Sequence, residues 1–196
     1  MKKTLTVLLA LVLVIAMSVA GTMAYLTSTA TVTNTFTVGN VTITMDETDV
    51  DDSTPNKDRD TANKYKLIPG MTYTKDPIVH VDSKSEDCYL FVKVVNEITA
   101  IEGETTVAAQ MTAKGWGAVD GVPDVYVYTQ NSAPAVVTGG SNVTVFENFT
   151  ISGTVDNATL AAYNNKTITV TAYAIQADGF EGKTASQIWK AAGFTK

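Results

Sequence analysis

The sequence predicts an all-β sandwich with one or two short helices, preceded by an N-terminal signal helix. Three observations predict it. After residue 24, hydropathy alternates with a period of two along most of the chain, the pattern of strands with one buried and one solvated face. Gly and Pro pairs such as Pro69-Gly70, Asp76-Pro77 and Gly139-Gly140 punctuate these runs at short intervals. Helix signals are confined to residues 105–114 and 184–192.

The first 24 residues are a different material. Met1-Lys2-Lys3 is a short cationic start, and residues 5–19 are mostly Leu, Val, Ala and Ile. Small residues follow, which is the layout of a secretory signal peptide. Thr22 and Ala24 occupy the positions three and one before the expected cut, so the mature chain begins at Tyr25. An uncleaved signal anchor is the alternative, because the apolar run approaches bilayer-spanning length. No second long apolar run occurs, so residues 25–196 are expected outside the cytoplasm as a single domain.

The elements follow in order. From 26 to 38 the even positions read Leu, Ser, Ala, Val, Asn, Phe, Val, and every odd position is Thr. An extended strand with this pattern has an apolar face of Leu26, Ala30, Val32, Phe36 and Val38, and a hydroxyl face opposite. Ser28 and Asn34 interrupt the apolar face. Gly39-Asn40 breaks the run, and Val41, Ile43 and Met45 begin a second strand. Residues 46–64 are polar and read as a long acidic loop. Further strands are expected at 65–67, 71–75, 78–81, 88–96, 125–129, 143–151 and 167–176. The run from Cys88 to Asn96 is apolar on both faces, which suits a central strand. In the last run Ile168, Val170, Ala172 and Ala174 share one face, with Tyr173 and Ile175 on the other. Thr184 and Gln187 form a capping box for the final helix, and Gly193 stops it.

Composition excludes several functions. A net charge of −6 argues against nucleic-acid partners, which require cations to neutralise phosphates. The single cysteine, Cys88, excludes a disulfide framework and reads as a buried small hydrophobe. The single histidine, His80, cannot build the three-ligand set of a catalytic zinc site and reads as a strand residue on the solvated face. Neither a Gly-x-Ser-x-Gly elbow nor a phosphate-binding glycine loop occurs. No catalytic residue and no cofactor are therefore expected. The one metal candidate is the acidic loop, where Asp49, Asp51 and Asp52 offer oxygen ligands of the kind calcium takes. The segment lacks the glycine and terminal glutamate of an EF-hand loop, so a solvated loop is the plainer expectation.

Several segments resemble one family. The lysine-led leader running into Ala20-Gly21-Thr22-Met23-Ala24-Tyr25-Leu26 is similar to leaders cut by the SipW-type signal peptidase. Phe36-Thr37-Val38-Gly39-Asn40-Val41, Leu67-Ile68-Pro69-Gly70-Met71 and Ala174-Ile175-Gln176-Ala177-Asp178-Gly179-Phe180 resemble the TasA/camelysin family of Gram-positive biofilm matrix proteins. The resemblance implies a jelly-roll sandwich, secreted and assembled into extracellular fibres. It further implies that the N-terminal strand of one subunit completes the sheet of the next. The implied partners are other copies of the chain in a head-to-tail homopolymer, the signal peptidase, and other matrix proteins or polysaccharide. Some members are named as metalloendopeptidases, an activity not carried over to a chain with one histidine.

The residues support the same expectation independently. Burying Leu26, Val32, Phe36 and Val38 contributes roughly 1.5–3 kcal/mol each, and Ala30 less. The gross gain is on the order of 10 kcal/mol before ordering costs. That is enough for strand addition at a neighbour's sheet edge, and a head-to-tail contact that does not close produces filaments. The same strand also suits an ordinary place in its own sheet. Two other classes remain beside the fibre subunit: an extracellular module binding calcium or polysaccharide, and, least favoured, a secreted metalloprotease.

Overall fold

A computed structural model describes Lys3, Thr6, Val7 and residues 39–52 and 58–194. The chain divides into two units, Met1–Val38 and Gly39–Lys196. In the first, the described Lys3, Thr6 and Val7 are helical. The expected cleavage residues Thr22, Ala24 and Tyr25, and the strand face Leu26, Ala30, Val32, Phe36 and Val38, lie outside the described residues.

The second unit is built mainly of antiparallel strands. One sheet contains β1 (Ile43–Thr48), β2 (Arg59–Asp60), β4 (Ile78–Val81) and β10 (Asn142–Thr144), in the order β10-β4-β1-β2. A larger sheet runs β12-β5-β7-β6, from β12 (Ile168–Gln176) through β5 (Cys88–Asn96) and β7 (Val125–Gln130) to β6 (Trp116–Ala118). The short β8 (Ala133–Pro134) joins β7, and β9 (Val136–Val137) joins β5. A separate pair links β3 (Thr72–Thr74) to β11 (Asn148–Thr150). Every ladder among the described residues is antiparallel.

The two larger sheets share one core. Val79 and Val81 of β4 belong to the same buried cluster as Leu90, Val92 and Val94 of β5. The opposite face of β5 is covered as well. There Tyr89 and Phe91 pack with Val125, Val127, Ile188 and Trp189, the last two from α3 (Ala185–Ala191). This second cover explains why β5 reads as apolar on both faces: it lies between two cores. Burial of each large side chain contributes roughly 1.5–3 kcal/mol, so β5 is the most heavily anchored strand.

β12 divides as its pattern predicts. Ile168, Val170, Ala172 and Ala174 pack on the first core, and Tyr173 and Ile175 on the second. The final helix is capped as predicted, with Thr184 and Gln187 forming the box and Gly193 at φ +67°. α1 (Val107–Ala113) matches the other helical signal, with the Thr106 hydroxyl capping its start. A third short helix, α2 (Asn157–Ala161), has an Asp156 cap and no buried residue, so its hydropathy carried no period.

Four expectations require correction. The acidic loop begins as strand: β1 continues through Asp46, Glu47 and Thr48, and pairs with Arg59–Asp60. These polar residues hold strand geometry because Asp46 pairs with Arg59, Glu47 with Lys75, and Thr48 donates to Asp76, which hydropathy does not record. The expected strand at 143–151 is two strands on different sheets. The consecutive buried residues Val145 and Phe146 break the period of two where the chain crosses over. Residues 65–67 alternate in burial without joining a ladder. Side-chain bonds serve instead, with the Tyr65 hydroxyl donating to the Thr74 carbonyl and the Tyr73 hydroxyl to that of Lys66. His80 does not simply face solvent, since it is half-buried between two hydrogen-bond partners.

Candidate functional site

The two sheets leave a cleft of about 890 Å³ beside β12. Met45 of β1, Tyr65, Leu67, Phe149, Ile168 and Val170 provide its apolar lining. These side chains arrive from three directions, each for a local reason. Met45 continues the inward face of β1. Ile168 and Val170 are the inward face of β12. Tyr65 and Leu67 are inward residues of a segment with no ladder partner of its own.

An aromatic set fixes that wall. Tyr65 meets Phe149 edge-on at 5.1 Å and Tyr73 at 5.9 Å, while Tyr73 and Phe149 stack at 5.1 Å. Such geometries place positive ring edges against negative faces and add to plain burial. Burial, and then the nearby charge of Glu47 and Asp76, pushes the Tyr65 phenol upward, so it stays a neutral donor.

The polar part of the cleft is internally satisfied. Glu47 is buried and accepts from the Lys75 ammonium at 2.7 Å and from Asn63 at 3.1 Å. Asn63 also donates to the Thr48 carbonyl at 2.8 Å. Among the described residues no buried side-chain nitrogen or oxygen lacks a partner. The lining therefore joins apolar surface to polar and charged groups, of which Glu47 and Lys75 are matched to each other.

A charged lattice ties β2 to β1 beside the cleft. Arg59 donates to the Asp46 carboxylate at 2.5 Å and to the Asp76 carboxylate at 2.9 Å. Asp76 also accepts from the Thr48 amide at 2.7 Å and its hydroxyl at 2.9 Å. Burial opposes ionisation of both acids, but these hydrogen bonds outweigh it and hold both carboxyls below their ordinary range. His80 lies 2.7 Å from Asn142 Oδ1 and 3.1 Å from Asp46 Oδ1. Burial disfavours its cation, and these two partners more than compensate, raising its pKa.

Two of the three expected calcium ligands come together. Asp49 and Asp51 place carboxylate oxygens within 4.8 Å of each other and of Asp60. Asp52 is not in that group; it is exposed and takes the turn conformation, φ 53°. Asp60 enters the group because β2 pairs with β1, a relation invisible in the sequence. Asp51 is itself bonded to the Lys64 amide at 2.7 Å. Cys88 is fully buried, and burial pushes its thiol up to about 11.

Comparison with family models, curated proteins and solved structures finds no match. The cleft, the lattice beside it and the pattern of the N-terminal segment therefore bear on function through their own chemistry.

Proposed function

We propose that this chain is a secreted structural subunit of extracellular matrix fibres, exported by its N-terminal signal helix and polymerised by N-terminal strand donation. The observation that carries the reading is the cleft beside β12, one wall of which is the apolar set Met45, Tyr65, Leu67, Phe149, Ile168 and Val170. That apolar wall suits an extended, uncharged strand, and residues 26–38 contain no charged residue. A jelly-roll sandwich is the architecture this reading adopts for the second unit. The protein has no enzymatic role in this reading, and its partners are other copies of itself, the signal peptidase, and matrix proteins or polysaccharide.

Phe36 is the largest side chain on the apolar face of the donated strand, so it is the main anchor. Phe36→Asp places a carboxylate where desolvation is costly. Electron microscopy of the secreted protein should show fibres. The Phe36→Asp protein should remain a β-rich monomer by circular dichroism and gel filtration and form none. Thr33→Ser, on the hydroxyl face, should assemble normally. Unfolding of the Phe36→Asp monomer would instead identify an ordinary first strand, and unchanged fibres would remove strand donation. The competing class, an extracellular calcium- or polysaccharide-binding module, predicts glycan retention or a calcium-dependent melting temperature, and no fibres.

A further inference from the structure

Among the described residues, Glu47 is the one charged side chain that is buried. Its two oxygens bring an amine and a carboxamide together. Oε2 accepts from Lys75 Nζ at 2.7 Å, and Oε1 accepts from Asn63 Nδ2 at 3.1 Å. Asn63 is held from its other side as well. Its Oδ1 accepts from the Val50 amide at 2.7 Å, and its Nδ2 also donates to the Thr48 carbonyl at 2.8 Å. Donors and acceptors of the carboxamide are thus each matched to a partner of the right kind. All three side chains line the cleft, whose apolar wall includes Met45, Tyr65 and Phe149.

An ion pair needs only Lys75 and Glu47. The carboxamide on the second oxygen adds an acyl group next to a nucleophile, with a proton carrier between them. We propose that Lys75 and Asn63 of one chain form an amide crosslink, Nζ to Cγ, with Glu47 carrying the protons and ammonia leaving.

Each part of the step has a group in place. A proton passing from Lys75 to Glu47 along their 2.7 Å bond leaves a neutral amine and a carboxylic acid, a pair with no charge to desolvate. Nζ then attacks Asn63 Cγ, and the carbonyl electron pair moves to Oδ1. The Val50 amide, already bonded to that oxygen, stabilises the charge formed there. At the tetrahedral carbon Nδ2 becomes an amine and takes the proton from Glu47, which in turn removes a proton from Nζ. The Cγ–Nδ2 bond breaks as the carbonyl re-forms. One C–N bond replaces another, ammonia is the leaving group, and nothing is oxidised or reduced. Attack requires Nζ about 3–3.5 Å from Cγ. The flexible four-carbon stem of lysine permits that movement from Oε2 to the neighbouring carboxamide. Holding both reactants on one carboxylate replaces a bimolecular encounter.

The crosslink would secure a segment that the sheets do not. Asn63 lies between β2 and β3 in a stretch with no ladder partner, and Lys75 follows β3. With one cysteine in the sequence, no disulfide within the chain could perform this task.

Mass spectrometry of the purified full chain tests the proposal. Its intact mass should be lower by one ammonia than its N-terminus and sequence require. Trypsin cuts after Lys64 and Lys66, between the partners, so tandem spectra should show a branched peptide joining Asn63 to Lys75. Lys75→Arg keeps a cation but removes the amine, and Asn63→Ala removes the acyl group. Glu47→Gln keeps the side-chain size but removes the proton carrier. All three should have full mass and unlinked peptides while circular dichroism reports a folded protein, and Lys64→Arg should still crosslink. Full mass and separate peptides in the folded wild-type protein overturn the crosslink, and that result decides the matter even if a variant does not fold. A branch at Lys64 or Lys66 overturns the choice of Lys75. A crosslink retained in Glu47→Gln overturns the part given to Glu47.

Discussion

Lys75 and Glu47 form an ion pair on the cleft wall, Nζ to Oε2 at 2.7 Å, with side chains only 12% and 6% exposed. Glu47 comes from the end of β1, and Lys75 from the residue after β3. A pair this well covered is costly to break, because one charge is left in a poorly solvated place. It also fixes where β1 stands relative to the turn leading into β4.

Lys75→Met should therefore destabilise the protein by about 3–5 kcal/mol in urea unfolding, since Glu47 keeps only Asn63 as a side-chain donor. Combining it with Glu47→Gln should recover much of that loss. A Lys75→Met cost under about 1 kcal/mol would place the pair with ordinary surface ion pairs.

Acid should weaken the Arg59 lattice. The folded-state carboxyls of Asp46 and Asp76 lie below their ordinary 3.8, so their stabilisation is present above that value and lost as the pH falls through the depressed values. Unfolding free energy should decline below about pH 4, and less steeply in Asp76→Asn. An identical acid limb in that variant would show that other groups control it.

His80 has the opposite sign. Its folded-state pKa lies above the ordinary 6.5, so its contribution is complete below that value and lost as the pH rises through the raised one. Melting temperature should fall slightly between about pH 6 and pH 8, and His80→Gln should flatten this limb. A slope unchanged in His80→Gln would remove the histidine from the account.

Trp189 holds α3 to the second core, with ring centroids 5.5 Å from Phe91, 5.1 Å from Tyr173 and 5.0 Å from Phe194. Trp189→Ala should cost about 3–5 kcal/mol by thermal or denaturant unfolding. Thr184→Ala, which removes only the helix cap, should cost about 1 kcal/mol. Equal costs would mean that α3 is held by its cap rather than by packing.

Export is checked at the N-terminus of the secreted protein. Sequencing should begin Tyr25-Leu26-Thr27, and Ala24→Lys should block processing, because a long charged side chain does not fit where a small residue is required. Met1 retained on a membrane-bound species would overturn cleavage.

Local chemistry made much of the second unit legible in the sequence. Period-two hydropathy located β4, β5 and β12 to within a residue, since each alternates or is apolar throughout. The box of Thr184 and Gln187 and the stop at Gly193 are interactions within a few residues, so they need no tertiary context. The burial of Cys88 followed from its apolar neighbours. Tertiary structure decided the rest. Asp46, Glu47 and Thr48 are strand because Arg59 and Lys75 answer the charges of the two acids and Asp76 accepts from Thr48, from up to 28 positions away. Asp60 joins Asp49 and Asp51 only through the pairing of β2 with β1. The alternation of Ile168 and Val170 was readable, but that β12 ends its sheet among the described residues, beside a cleft, depends on which strands pair with which. Periodicity reports which face of a strand is buried, while neighbours along the sheet are chosen by the whole fold.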